Sequence, residues 1–137
     1  MFKKIMVAYD GSEGAKKALE AGIKLAQLHQ AELLVLAVQE EMPRTHIDTA
    51  FAETAFRQHL EQILAEAQTR SQEAGVQAKT DMRLGHPAKT IVAVAEEGKF
   101  DLILVGHSGL SGVWGRFLGS TAEKLSRHAP CSVLMVR

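Results

Sequence analysis

Strict alternation of strand-like and helix-like segments predicts a doubly wound α/β fold, a five-stranded parallel sheet with helices on both faces. Two further observations point the same way. The runs Leu33 to Val38 and Asp101 to Val105 are almost continuously apolar, as in strands buried on both faces. The chain has 137 residues, 46% hydrophobic and 23% charged, which suits one ordinary domain with its own core.

The elements follow in order. Lys4 to Tyr9 is apolar and β-branched, and Asp10-Gly11-Ser12 ends it as strand 1. Ala15, Ala18, Leu19, Gly22, Leu25 and Ala26 repeat at helical spacing and predict helix 1 over about Glu13 to Gln30. Leu33 to Val38 is strand 2. Residues 39 to 49 are polar with a proline and read as a loop, with Met42-Pro43 placed to form a flap. Helix 2 covers about Ala50 to Ala74, with Phe56, Leu60, Ile63, Leu64 and Ala67 inward and Gly75 as its C-terminal cap. Val76 to Leu84 alternates only loosely and reads as strand 3, near a sheet edge. Pro87 fits the first turn of helix 3, whose stripe is Ala88, Ile91, Val92 and Ala95. Asp101 to Val105 is strand 4, Ser120 to His128 is helix 4 with Ala122 and Leu125 inward, and Ser132 to Val136 is strand 5. There is no linker, low-complexity segment or internal repeat.

Composition removes several classes of function. Lys plus Arg is 16 and Asp plus Glu is 16, so no global field draws the chain to nucleic acid or an anionic membrane. The apolar stretch behind the first lysines is too short for a signal peptide core or a membrane span. The single cysteine, Cys131, allows neither an internal disulfide nor a zinc site of paired cysteines, and the expected compartment is the cytoplasm. No histidine pair has the i, i+4 spacing of a helical zinc site, so His29, His46, His59, His86 and His128 read as surface residues.

The informative stretch is Gly106 to Thr121, GHSGLSGVWGRFLGST, which holds five of the eleven glycines. In open α/β sheets, ligands bind beyond the carboxyl ends of the strands, where strand order reverses. Strand 1 ends in Asp10-Gly11-Ser12 and strand 4 in Gly106-His107-Ser108-Gly109. Glycines let backbone N–H groups approach a phosphate, and Gly119-Ser120-Thr121 opens helix 4, where the dipole favours anions. The competing reading is that the glycines shape a long loop. Asp10 is either a helix cap or a ligand group for ribose hydroxyls or magnesium; Ser12 is a second cap candidate, which leaves Asp10 free. Ser120 and Thr121 are either caps of helix 4 or phosphate donors. The P-loop needs a lysine where Ser120 stands, and the dinucleotide fingerprint is missing after strand 1.

Gly106-x2-Gly109-x9-Gly119-Ser120 resembles the signature G-x2-G-x9-G-[ST] of the universal stress protein family. Ile5 to Ser12, Gly85 to Ile91, Asp101 to Gly106, Leu118 to Leu125 and Arg127 to Val133 match in the same order. The resemblance implies a Rossmann-like sheet of order 3-2-1-4-5, of the adenine nucleotide alpha hydrolase-like type, and a homodimer joined through the last strand. It implies ATP binding, with adenine near the backbone of Ala8, Tyr9 and Val38, and Asp10 at the ribose or phosphates, with magnesium near it through the phosphates. Gly106, Gly109, Gly119, Ser120 and Thr121 would hold ribose and phosphates, beside Val105. His107, by its own place in the loop, is set near a phosphate, to donate a hydrogen bond or respond to pH. The chain departs from the pattern at His107-Ser108 and at Leu110, where a basic residue is common; Arg116 stands in the loop to compensate. Trp114 is placed to pack on the loop, to join a dimer interface or to cover the nucleotide.

Three functions follow. The first is a stress-response regulator that binds ATP and couples occupancy to an unidentified protein partner. The second is a slow ATPase or autophosphotransferase, for which His107 is the one visible base in the loop. The third is an adaptor that works through its dimer surface without a nucleotide.

Overall fold

The computed structural model describes residues 1–40, 49–107 and 119–137. Five strands alternate with four helices. They are β1 (Lys4–Ala8), α1 (Glu13–His29), β2 (Glu32–Gln39), α2 (Thr49–Glu73), β3 (Ala78–Leu84), α3 (Pro87–Gly98), β4 (Leu102–Gly106), α4 (Ser120–His128) and β5 (Ser132–Val136). The sheet order is β3-β2-β1-β4-β5, and each adjacent pair is parallel. The boundaries fall within two residues of those the sequence predicts, and β3 is an edge strand as expected. The flap expected at Met42-Pro43, and His46, lie outside the described residues.

Chain direction explains the two layers. From β1 the chain steps outward through β2 to β3, then returns through β4 to β5. Right-handed crossovers therefore put α1 and α2 on one face, α3 and α4 on the other. Each strand feeds both cores by alternation. Ile5, Val7, Leu33, Val35, Leu102 and Leu104 pack under α1 and α2 with Leu19, Ile23, Leu60 and Leu64. Met6, Leu36, Ile103 and Val105 pack under α3 and α4 with Ile91, Val94, Ala95, Ala122 and Leu125. The helical stripes are corrected at two positions. Ile23 of α1 and Val94 of α3 are buried positions that the expected stripes did not include. Leu25 and Val92 pack partly at the margins.

Local chemistry fixes the helix ends. Gly75 takes φ +82° after α2. The Val76 N–H then donates to the Ser71 carbonyl and the Gly75 N–H to that of Gln72, which satisfies two end carbonyls. At the amino ends of the strands, the Asp101 carboxylate accepts the backbone N–H groups of Lys3 (2.9 Å) and Lys4 (3.2 Å), tying β1 to β4. These ties keep the two central strands in register, and it is their carboxyl ends that carry the site.

Candidate functional site

The strands β1 and β4 are neighbours, and the chain leaves them in opposite directions, β1 toward β2 and β4 toward β5. This is the switch point at which open α/β sheets leave a crevice. Asp10 and Ser12 lie at one lip, Gly106 and His107 at the other, and Gly119 begins the helix that follows.

Asp10 and Ser12 divide the two roles open to them. The Ser12 hydroxyl caps α1 by accepting the Ala15 N–H at 3.2 Å. Asp10 does not cap the helix. Its Oδ1 accepts the Ser12 N–H at 2.9 Å, a local turn that fixes the carboxylate, and Oδ2 has no partner among the described residues. Gly11 between them has φ +79°, which favours glycine there.

Gly106 is a glycine for a reason that the sequence reading did not give. A Cβ there would lie 2.7 Å from the Gly14 carbonyl carbon and 2.9 Å from its oxygen. The end of β4 thus rests directly on the first turn of α1, and helix packing alone excludes any side chain.

The start of α4 separates the two readings of Ser120 and Thr121. Gly119 is the N-cap, with φ −62° and ψ 152°, and no side chain caps the helix. Ser120 and Thr121 are already helical, so neither acts as the cap. The first N–H groups of an α-helix have no intrahelical partner. Here they remain available beside the switch point.

His107 is not a surface residue. It is 9% exposed, and its Nδ1 is buried with no hydrogen-bond partner among the described residues. Its N–H donates to the Val136 carbonyl at 2.7 Å, and its carbonyl accepts the Gly119 N–H at 2.8 Å. The remaining histidines follow the surface expectation more closely: His59, His86 and His128 are exposed, and His29 meets Phe2 edge-on.

The other expected site residues separate by face. Ala8, Val38 and Val105 all belong to the core on the α3–α4 side. The Tyr9 side chain goes the other way, into the α1–α2 core, and lines a cleft of about 320 Å³ with Glu13, Lys16 and Glu66. Burial, and then the carboxylates of Glu66, Asp10 and Glu13, push its phenol above the ordinary value. Only the Tyr9 backbone is therefore available at the crevice. Gly109 and Arg116 lie outside the described residues, as do Ser108, Leu110 and Trp114. Cys131 precedes the edge strand β5 and is only partly buried; burial, with Asp101, pushes its thiol up and keeps it protonated.

One feature escaped the sequence reading. Gln39, at the carboxyl end of β2, is buried and donates to the Glu53 carbonyl at 3.0 Å. It lines a cleft of about 360 Å³ with Glu53, Arg57 and Arg83, on the β3 side of the switch point. A polar residue closing an apolar strand was the available signal.

Fold and crevice together define a doubly wound α/β protein with uncapped backbone donors and one buried, unsatisfied imidazole at its switch point. Sequence comparison agrees over the full length: the profile of the universal stress protein family matches residues 1–137. The chain belongs to the universal stress protein family. It is 40% identical to the universal stress protein in the QAH/OAS sulfhydrylase 3′ region of Thermus aquaticus, covering all of both chains. Universal stress protein UspA from Lactobacillus plantarum superposes with a TM-score of 0.90 at 27% identity, covering 99% of this chain and 98% of that one. A universal stress protein in complex with cAMP superposes with a TM-score of 0.79, also at 27% identity, covering 99% and 97%.

Proposed function

We propose that this chain binds an adenine nucleotide at the β1–β4 switch point and acts as a regulatory, homodimeric stress-response protein of the cytoplasm. The observation that carries the reading is the glycine N-cap of α4, which leaves the first turn without a side-chain cap at the switch point where β1 ends in Asp10 and β4 in His107. A helix N-terminus with free donors suits a phosphate. Asp10 Oδ2, which has no partner among the described residues, would accept from a ribose hydroxyl. Ala8, Val38 and Val105 supply an apolar wall for a base. The similar chain in complex with cAMP supports the adenine nucleotide class.

ATP is the ligand that the glycine signature favours. Among the described residues no group of three or more histidine, cysteine or carboxylate side chains is arranged for a metal ion, so magnesium would arrive with the phosphates. No described helix is long and apolar enough to cross a membrane. The dimer would form through β5, an edge strand whose Leu134 and Met135 are 41% and 39% exposed.

Calorimetric titration of ATP, AMP and cAMP, with and without magnesium, tests the reading against Gly119→Val. The backbone of Gly119 is in the extended region, which valine adopts freely, and thermal unfolding of the free variant checks that the fold is kept. Its side chain would crowd the phosphate space and weaken binding about tenfold or more, ~1.4 kcal/mol. Equal affinity in the two proteins would remove α4 from the site.

A further inference from the structure

Alternation along β4 places the His107 ring. Leu102 and Leu104 enter the core under α1 and α2, while Ile103 and Val105 enter the core shared with Ala122 and Leu125 of α4. Gly106 then faces Gly14 of α1. The ladder to β5 continues one residue further, through the His107 N–H to the Val136 carbonyl. Position 107 therefore returns to the α4 side, at the end of the strand where α4 begins. The residue's own carbonyl holds the α4 N-cap by accepting the Gly119 N–H. Among the described residues two unsatisfied features belong to this end of the sheet: the first turn of α4, with no side-chain cap, and a buried Nδ1 without a partner. Buried polar groups in native proteins are nearly always paired, and an orphan calls for an explanation. A neutral leucine-like side chain would fill the same space without the desolvation penalty.

We infer that His107 donates its Nδ1–H to a phosphate of the bound nucleotide and so makes the site select nucleotides over the unphosphorylated nucleoside. The inference rests on the nucleotide reading above. An acceptor is favoured as the partner because the helix N-terminus adds positive potential at the same place. The cation absent at Leu110 is then replaced by a donor from the end of β4.

The test titrates AMP and adenosine against the wild type, His107→Leu and His107→Asn, with thermal unfolding of each free protein. Asparagine retains a side-chain donor near the Nδ1 position. The expected result has three parts. His107→Leu loses about tenfold in AMP affinity with adenosine affinity unchanged. His107→Asn recovers most of the AMP binding. The free His107→Leu protein unfolds no lower than the wild type, because an unpaired buried nitrogen has been removed. In the wild type, the ¹⁵N resonance of the His107 Nδ1 shifts on adding AMP and not on adding adenosine. Wild-type affinity for AMP in His107→Leu, or equal losses for AMP and adenosine, would overturn the inference and leave the nucleotide reading standing. A wild type that binds no adenine nucleotide would overturn both.

Discussion

At the residue scale, the chemistry turns on which way a side chain points, and that follows strand phase. Strand phase sends the Tyr9 and His107 side chains in opposite directions. Tyr9 continues the phase of Ile5 and Val7 into the α1–α2 core, whereas His107 continues that of Ile103 and Val105 toward α4. Counting by twos from the apolar run would have shown this, but the count needs to know which face each helix covers. Gly106 shows the same limit. Its glycine spacing was legible, but the Gly14 backbone against it was not, because no sequence pattern reports a contact 92 residues away in the chain. Gly106→Ala should destabilise the protein by about 1–3 kcal/mol, since the clash is with backbone that cannot rotate away. A shift of the denaturation midpoint measures this, and an unshifted midpoint would mean that α1 moves aside freely. Tyr9 gives a pH test. Its phenol is raised above 10.0 in the folded state, so its protonated form is favoured there. The folded state then binds more protons than the unfolded state above about pH 10, and stability falls as pH rises through that range. Tyr9→Phe should lose part of that alkaline decline in denaturant melts, and an identical slope would place the decline elsewhere.

At the element scale, most of the fold was readable. The strands β2 and β4 declare themselves by length and apolar continuity, and α4 and β5 begin and end where the pattern sets them. What was not readable was how helices are capped. Ser120 and Thr121 are residue types that cap helices, but Gly119 occupies the cap and its φ of −62° leaves the two hydroxyl residues inside the first turn. Capping depends on where the chain enters the helix. Here the His107 carbonyl fixes that entry by holding the Gly119 N–H. The helices α1 and α3 place a non-glycine residue in the left-handed cap position: Gln30 and Lys99 take φ of 53° and 55°, and the Ala31 and Phe100 N–H groups close back onto Ala26 and Ala95. The end of α1 has no glycine or proline to mark it, which is why the sequence pattern runs one residue past His29.

At the scale of the whole molecule, the sheet has two edges of different character. The strand β3 carries Lys79, Asp81 and Arg83, with Arg83 paired to Asp81 and Glu97, a charged edge of the kind that resists pairing. The strand β5 is Ser-Val-Leu-Met-Val with its apolar side chains partly exposed on both faces. Edge-to-edge pairing of β5 with a second copy is the expected assembly. Sedimentation equilibrium should give a dimer, and Leu134→Lys should shift it toward monomer by putting like charges across the interface. A wild-type monomer would remove β5 as the joining surface. The two ends of the sheet differ as well, since the amino ends are tied by the Asp101 carboxylate while the carboxyl ends hold the free Asp10 oxygen, the orphan imidazole and the uncapped helix. The central claim is that an adenine nucleotide binds at that second end. A ¹H–¹⁵N amide titration with AMP tests it most directly, because it reports where binding occurs. The account predicts that the amides of Asp10, Gly106, His107, Gly119, Ser120 and Thr121 shift together and saturate, while those of Lys79 and Thr80 on β3 stay fixed. No shifts at saturating AMP, or shifts confined to the cleft at Gln39, Arg57 and Arg83, would contradict it.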